Sequence, residues 1–288
     1  MNDVAELDGR SWHWPSIIAV AIPLIALFWD IVPSMVDVWW NDPAYSHGLL
    51  IPGLAAYLAW TEQESILAAP VKPFFAGVWV IALGCAIQLV GRLGAEFFLT
   101  RISIVIILGG LVLTFWGIQR LRALAFPLIL LSTMVPIPAI VYNKMAAPLQ
   151  LFASEVASNS LEAIGIPVFR DGNVMHLSQI TLGVAEACSG LRSMSSLSVL
   201  ALVIGYMLCR TLPFRTLVFL FAFPTAIGIN VFRIVGTALM AREDSSLAEG
   251  FFHSFQGMIV FLLGMAILAF VGTVAAKLEG SPREDANQ

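Results

Sequence analysis

Ala187-Cys188-Ser189-Gly190-Leu191-Arg192 sets a thiol, a hydroxyl, a glycine and a guanidinium where a long apolar run begins. A cation in hydrocarbon is costly, so an Arg in such a place is a candidate functional group. The anomaly recurs twice. Asn230-Val231-Phe232-Arg233 lies inside a later hydrophobic run, and His253 heads the last one. Thiol, guanidinium and imidazole at a membrane face are the groups that cysteine-based acyl transfer needs. Sulfur attacks a carbonyl, the guanidinium donates hydrogen bonds to the oxyanion, and the imidazole moves the proton. The positive end of a helix and nearby Arg side chains favour thiolate at Cys188.

Other polar residues take assisting roles. Arg192 follows Cys188 by four residues, hence on the same helical face, where it holds the thiolate or a substrate carboxylate. Asn230 shares a face with Arg233 and fixes its orientation. Glu186 orients an Arg or His253, with a solvated loop carboxylate as the alternative. His47 is the rival to His253 as acid/base. His176 reads as a surface residue and His13 as cytoplasmic. Cys85 and Cys209 read as small inert hydrophobes. The three cysteines show no metal spacing and no disulfide framework, and the chemistry calls for no metal or organic cofactor.

These residues must be held by a membrane protein. The 288 residues are 59% hydrophobic and only 12% charged, with a mean hydropathy of +0.87, which excludes an ordinary soluble domain. Nucleic acid is excluded as a partner because no Lys/Arg cluster exists to neutralise phosphates. The polar, acidic stretch before Pro15 is not a cleavable signal peptide of the usual form. Eight hydrophobic spans are expected, at roughly 16–35, 48–60, 74–91, 102–118, 121–135, 190–209, 214–240 and 253–276. The second and fifth are short. The expected organisation is a cytoplasmic tail over 1–15, a polytopic membrane domain over 16–277, and a second cytoplasmic tail over 278–288.

An even number of spans puts both termini on one side. The loops sharing that side carry Lys72, Arg120, Arg122, Arg210 and Arg215, whereas the first opposite loop carries Asp30, Asp37 and Asp42. The positive-inside rule then makes the termini cytoplasmic. Trp39 and Trp40 read as interfacial belt residues. The largest non-membrane piece, about 136–186, falls on the outer side. Within it, 142–164 reads as an interfacial amphipathic helix, and 166–178, with Asp171-Gly172-Asn173 at its centre, reads as a short β-hairpin leading to Cys188. Pro224 is expected to kink the seventh span, while Gly228 and Gly236 permit close helix approach. Cys188, Arg233 and His253 converge on the outer face in this scheme. Arg233, seven residues before Met240, lies about 10 Å from that end at 1.5 Å per residue.

At this point the chain resembles the exosortase/archaeosortase family of membrane cysteine transpeptidases. The resemblance runs from about Tyr45 to the last span. It rests on Tyr45-Ser46-His47-Gly48, Pro136-Ile137-Pro138, Gly172-Asn173, Val184-Ala-Glu-Ala-Cys188-Ser-Gly-Leu-Arg192, Asn230-x-x-Arg233 and His253. It implies an all-α integral membrane fold and a catalytic Cys, Arg and His, which fall on Cys188, Arg233 and His253. Archaeal relatives can carry Arg in the last role, so His253 implies a bacterial exosortase in the inner membrane. The implied substrates are membrane-anchored secreted proteins ending in a Pro-Glu-Pro-type motif, a transmembrane segment and a basic tail. The acyl acceptor is left open among water, lipid and polysaccharide. The soluble domain fused in some relatives is not expected here.

Two other classes compete. An anion transporter would line a path with Arg192 and Arg233, and a scaffold for polysaccharide assembly would need no nucleophile. An impermeant thiol reagent applied from the outer side is expected to label Cys188 and stop substrate processing. Labelling from the cytoplasmic side alone would contradict this.

Overall fold

The computed structural model describes positions 14–177, 181–183, 191–243 and 250–280, to which every structural statement below refers. The chain is a multi-pass membrane protein built almost wholly of helices. Its first span bends. α1 (Trp14–Phe28) and α2 (Ile31–Asn41) meet at 57°, where one span over 16–35 was expected. Pro33 offers no N–H to the Trp29 carbonyl and its ring crowds that carbonyl, so the helix breaks there. The Leu27 carbonyl at the break accepts from Gln88 Nε2 at 2.7 Å and from Arg92 Nη2 at 3.1 Å. Arg92 also pairs with Asp30 at 2.6 Å.

A 3₁₀ turn (Ser46–Leu49) leads to α3 (Ile51–Thr61) and α4 (Gln63–Ala68). Trp39 is not an interfacial belt residue. It is buried, donates Nε1–H to the Met134 carbonyl at 2.8 Å, and covers Gly48, which has no room for a Cβ. Trp40 is exposed, as expected.

α5 (Ala76–Leu93) and α6 (Phe97–Trp116) form a tight antiparallel pair. Gly77, Gly84 and Gly91 recur every seven residues along α5 and put a flat stripe against α6. A Cβ at Gly110 of α6 would lie 2.9 Å from the Ile81 backbone nitrogen, so the two backbones touch without intervening side chains. Glu96 caps α6 by accepting from the Phe98 and Leu99 N–H groups at 3.2 and 3.4 Å. α7 (Ile118–Ala123) and α8 (Ala125–Ser132) then return across the layer in two pieces. Helices α1, α2, α3, α6 and α8 share one core around Met35, Ile51, Ile107 and Leu130.

The expected amphipathic helix is α9 (Ala139–Ala163), which starts earlier than predicted. Its buried face is made of small residues, chiefly Ala146, Ala153, Ser154, Ala157 and Ser158, and packs along α11 (Leu212–Glu243). Ile140, Leu151 and Phe152 are left exposed on its other sides. Gly165, at φ +85°, ends α9 in a Schellman motif, with Ile166 N–H bonded to the Leu161 carbonyl and Gly165 N–H to the Glu162 carbonyl. The hairpin follows as expected. β1 (Phe169–Asp171) pairs antiparallel with β2 (Val174–His176) across a two-residue loop whose first position is Gly172 at φ +62°. A third strand, β3 (Thr181–Gly183), was not anticipated. It pairs with β2 on the side opposite β1, and three residues were too short a signal to read.

α10 (Leu191–Leu208), α11 and α12 (Gly250–Leu278) pack mutually around a second core that includes Leu197, Ala222, Ile229 and Leu268. α11 runs unbroken through Pro224. At the end remote from the sheet, Glu279 accepts from the Arg210 and Thr211 N–H groups, tying the foot of α12 to that of α11. Arg120 binds the Ala69 and Leu67 carbonyls at this same end.

Among the described residues, four helices are long and apolar enough to cross a membrane: α5, α6, α11 and α12. The bent α1–α2 pair makes a fifth if it counts as one span. α10 is apolar but shorter, the expected second span falls on the 3₁₀ turn and the eleven-residue α3, and the fifth is broken between α7 and α8. Gly110→Ala should force α5 and α6 apart and lower stability by about 1–3 kcal/mol. Gly53→Ala, with no atom within 4 Å of the added Cβ, should be neutral or slightly stabilising, as thermal unfolding of the two variants would show.

Candidate functional site

α11 carries a polar stripe through an otherwise apolar bundle. Asn230, Arg233 and Thr237 recur at three- and four-residue steps and therefore share one face. Asn230 and Thr237 are buried and Arg233 is half-buried. Ile234 and Ala238, on the adjoining face, pack against α9 and the sheet. The polar stripe runs along the seam with α12, because Thr237 Oγ1 lies 2.8 Å from Gln256 Oε1. Gln256 Nε2 in turn donates to the Arg233 carbonyl at 3.0 Å. This pair of bonds levels Arg233 with the second turn of α12.

His253 precedes Gln256 by three residues, so its helix position is on the same face, one turn nearer the start of α12. The structure therefore holds the Arg233 backbone level with Gln256, one turn further along α12 than position 253, with Asn230 a further turn away on α11. α11 extends to Glu243 rather than Met240, which puts Arg233 about 15 Å from that end, deeper than predicted. Gly236 leaves space for an amide rather than for a whole helix, since a Cβ there would lie 2.5 Å from Gln256 Nε2. Gly228 has nothing within 4 Å of an added Cβ among the described residues, so it serves no close approach.

Arg192 lies on a different flank. Leu197 and Ala201 of α10 pack into the core shared with α11 and α12, whereas Arg192 is five residues from Leu197, about 140° around the helix. Ser195, one turn below Arg192, donates to the Arg192 carbonyl at 2.8 Å and also lies 3.3 Å from the Ala44 carbonyl. That contact seats the Ala44–His47 loop against the first turns of α10. Arg192 Nε is buried there with no partner among the described residues.

His47 lies in this loop and lines a cavity of about 400 Å³ together with Tyr45, Thr133, Tyr142, Ser195 and Val199. Burial lowers its pKa from the usual 6.5, and a bond to the Thr133 backbone opposes the shift only in part. Its Nδ1 is buried and unpartnered among the described residues. Tyr45, beside it, donates to the Ile137 carbonyl at 3.5 Å. A second cavity of about 520 Å³ shares Leu202 and Phe219 with the first and ends at Glu62, Arg122 and Arg215. Neither described cavity is lined by Arg192 or Arg233.

Cys188 and Glu186 lie outside the described residues, as does the side chain of His253. Arg233 and Asn230 share the face of α11 that meets α12, whereas Arg192 and His47 lie on the other flank of α10. Sequence reading missed Gln256 and Thr237, although a Gln in an apolar run facing Gly and Thr is itself a signal. It also gave no role to Arg101. Arg101 is buried on α6, with its guanidinium 5.4 Å from the centre of the Phe97 ring. No group of three or more His, Cys, Asp or Glu side chains among the described residues has the arrangement of a metal site.

A family model described as transmembrane exosortase matches residues 39–270. That stretch includes the His47 loop, α9, the sheet and the polar seam. No match was found among curated proteins or among solved structures.

An unfolded His47 takes up a proton below its ordinary pKa of 6.5, while the folded one resists it. Folded-state stability is thus complete above about 6.5 and is lost as pH falls through that range towards the lower folded value. Melting temperature should drop less steeply between about pH 7 and about pH 5 in His47→Gln than in the parent. Equal slopes would contradict the assignment.

Proposed function

We propose, for a chain that belongs to the transmembrane exosortase family, that it is a cysteine transpeptidase cutting C-terminal sorting signals. Its substrates are membrane-anchored secreted proteins of the Pro-Glu-Pro class. The observation that carries this reading is the Asn230–Arg233–Thr237 stripe. The Arg233 backbone is held at a fixed level against α12, one turn below position 253, and its side chain is half-buried in an apolar bundle. A cation so placed needs a reason, and an acyl-transfer oxyanion supplies one.

The Cys188 thiolate attacks the scissile carbonyl carbon. A C–S bond forms, and the carbonyl electrons move to oxygen, where Arg233 donates hydrogen bonds. The intermediate collapses as the C–N bond breaks, and His253 gives a proton to the departing amine. A second nucleophile then attacks the thioester, losing its proton to His253 as the thiolate leaves. Water as that nucleophile gives hydrolysis; an amine or hydroxyl carrier gives transfer. Asn230 orients Arg233, and Arg192 and Glu186 take assisting roles. His47 stands in the Ala44–His47 loop that is seated against α10.

Eight membrane crossings, with both termini cytoplasmic in a bacterial inner membrane, complete the reading. In support, Lys72, Arg120, Arg122, Arg210 and Arg215 belong to the end remote from the sheet, as the positive-inside rule asks of a cytoplasmic face. The 3₁₀ turn with α3, and the broken α7–α8 segment, would then be the second and fifth crossings. A substrate helix in the same bilayer would present its cleavage site at the outer surface, which confines the search to two dimensions. An anion path is less well supported, because the two cavities between the helical layers meet at apolar Leu202 and Phe219.

Cys188→Ala should abolish processing, and Cys188→Ser should leave a trace. Arg233→Lys and His253→Gln should each slow it about 100-fold, with the folded protein retained in the membrane. Mass spectrometry of a trapped Cys188 acyl-enzyme would identify the fragment retained. Unimpaired processing by Cys188→Ala would refute the reading.

A further inference from the structure

Resting on that catalytic reading, we propose that Gln256 is a positioning residue. It sits in a socket built by α11 and thereby sets where His253 stands relative to Arg233. The socket has three parts. The Arg233 carbonyl accepts from Gln256 Nε2 at 3.0 Å, the Thr237 hydroxyl meets Gln256 Oε1 at 2.8 Å, and Gly236 leaves the space between them empty. A carbonyl cannot donate, so Nε2 must face Arg233 and Oε1 must face Thr237; the amide fits only one way round. The Thr237 hydroxyl also lies 2.9 Å from the Arg233 carbonyl. It has one proton, and sending it to Oε1 leaves that carbonyl to the amide N–H. The result is a closed ring of donors and acceptors between two helices.

The Gly236 observation makes the socket specific. An added Cβ would stand 2.5 Å from Nε2 and 3.8 Å from Cδ of Gln256, and no other atom of the described residues would lie within 4 Å of it. Glycine at this position therefore serves this one side chain. Apolar helix faces in a bilayer slide and rotate at small cost, whereas a polar group needing two partners does not. A one-residue slip of α12 would turn position 253 by about 100° and shift it by about 1.5 Å. Misplacement on that scale is enough to cost a positioned reaction about two orders of magnitude.

The test uses the full-length enzyme in vesicles with a membrane-anchored substrate. Gln256→Met keeps the length and loses both bonds. Gly236→Ala keeps Gln256 but expels its amide. Each should lower kcat about 10- to 100-fold at unchanged KM, whereas Thr237→Ser, which keeps the hydroxyl, should turn over at the parental rate. Gly236→Ala should also become harmless in the Gln256→Met background, because the amide it displaces is gone. Additive losses in the double variant, a kcat equal to the parent's, or a loss accounted for entirely by unfolding would each overturn the proposal. Thermal melting of the same four proteins reports the Gly236–Gln256 coupling independently of catalysis. Processing that survives Cys188→Ala would therefore sink the enzyme reading while the socket could still be seen in stability.

Discussion

Within a bilayer every buried polar group must find its partner inside the protein, because no water is there to serve. The sheet end of this bundle is organised by that constraint. The broken first span leaves the Leu27 carbonyl to Gln88 and Arg92. Trp39 is drawn inward to the Met134 carbonyl. The Arg233 carbonyl takes Gln256. Each satisfied group also joins two elements at one defined level, so the polar bonds set the register that the apolar surfaces leave loose.

The molecule divides into two cores with different tasks. α1, α2, α3, α6 and α8 share one, flanked by the glycine seam of α5 on α6. α10, α11 and α12 share the other and hold the candidate chemistry. α9 and the sheet cover the upper part of α11 through small side chains, leaving its polar stripe to α12. The Ala44–His47 loop joins the halves through Ser195, and a cavity lies just beneath it. Arg192 and Arg233, alike in sequence as buried cations, therefore belong to opposite flanks of α10. One lies near the loop and the cavity, the other on the α11–α12 seam.

Much of the architecture follows directly from residue pattern. Apolar runs located α5, α6, α10, α11 and α12, because a helix crossing lipid has a strong compositional signature. Gly172 and Asn173 announced the hairpin, since the left-handed backbone at the first position of the tight loop selects glycine. The bend at Trp29 was missed because a proline late in a hydrophobic run reads as tolerated until the unpaired carbonyls behind it are counted. Trp39 was misread because one tryptophan looks like another in sequence, and only a partner 95 positions away distinguishes the buried one.

Local chemistry thus dictated the membrane class and the polar residues that stand out against it. Spacing along a helix sufficed to put Asn230 beside Arg233, since that relation involves one element alone. Spacing could not say which helix the stripe would face, how deep Arg233 would lie, or that Arg192 would turn towards the His47 loop. Those depend on the relative rotation and height of separate helices. Side chains far apart in the chain decide that, and the Gln256 amide, seated on a carbonyl 23 residues earlier, is the clearest case.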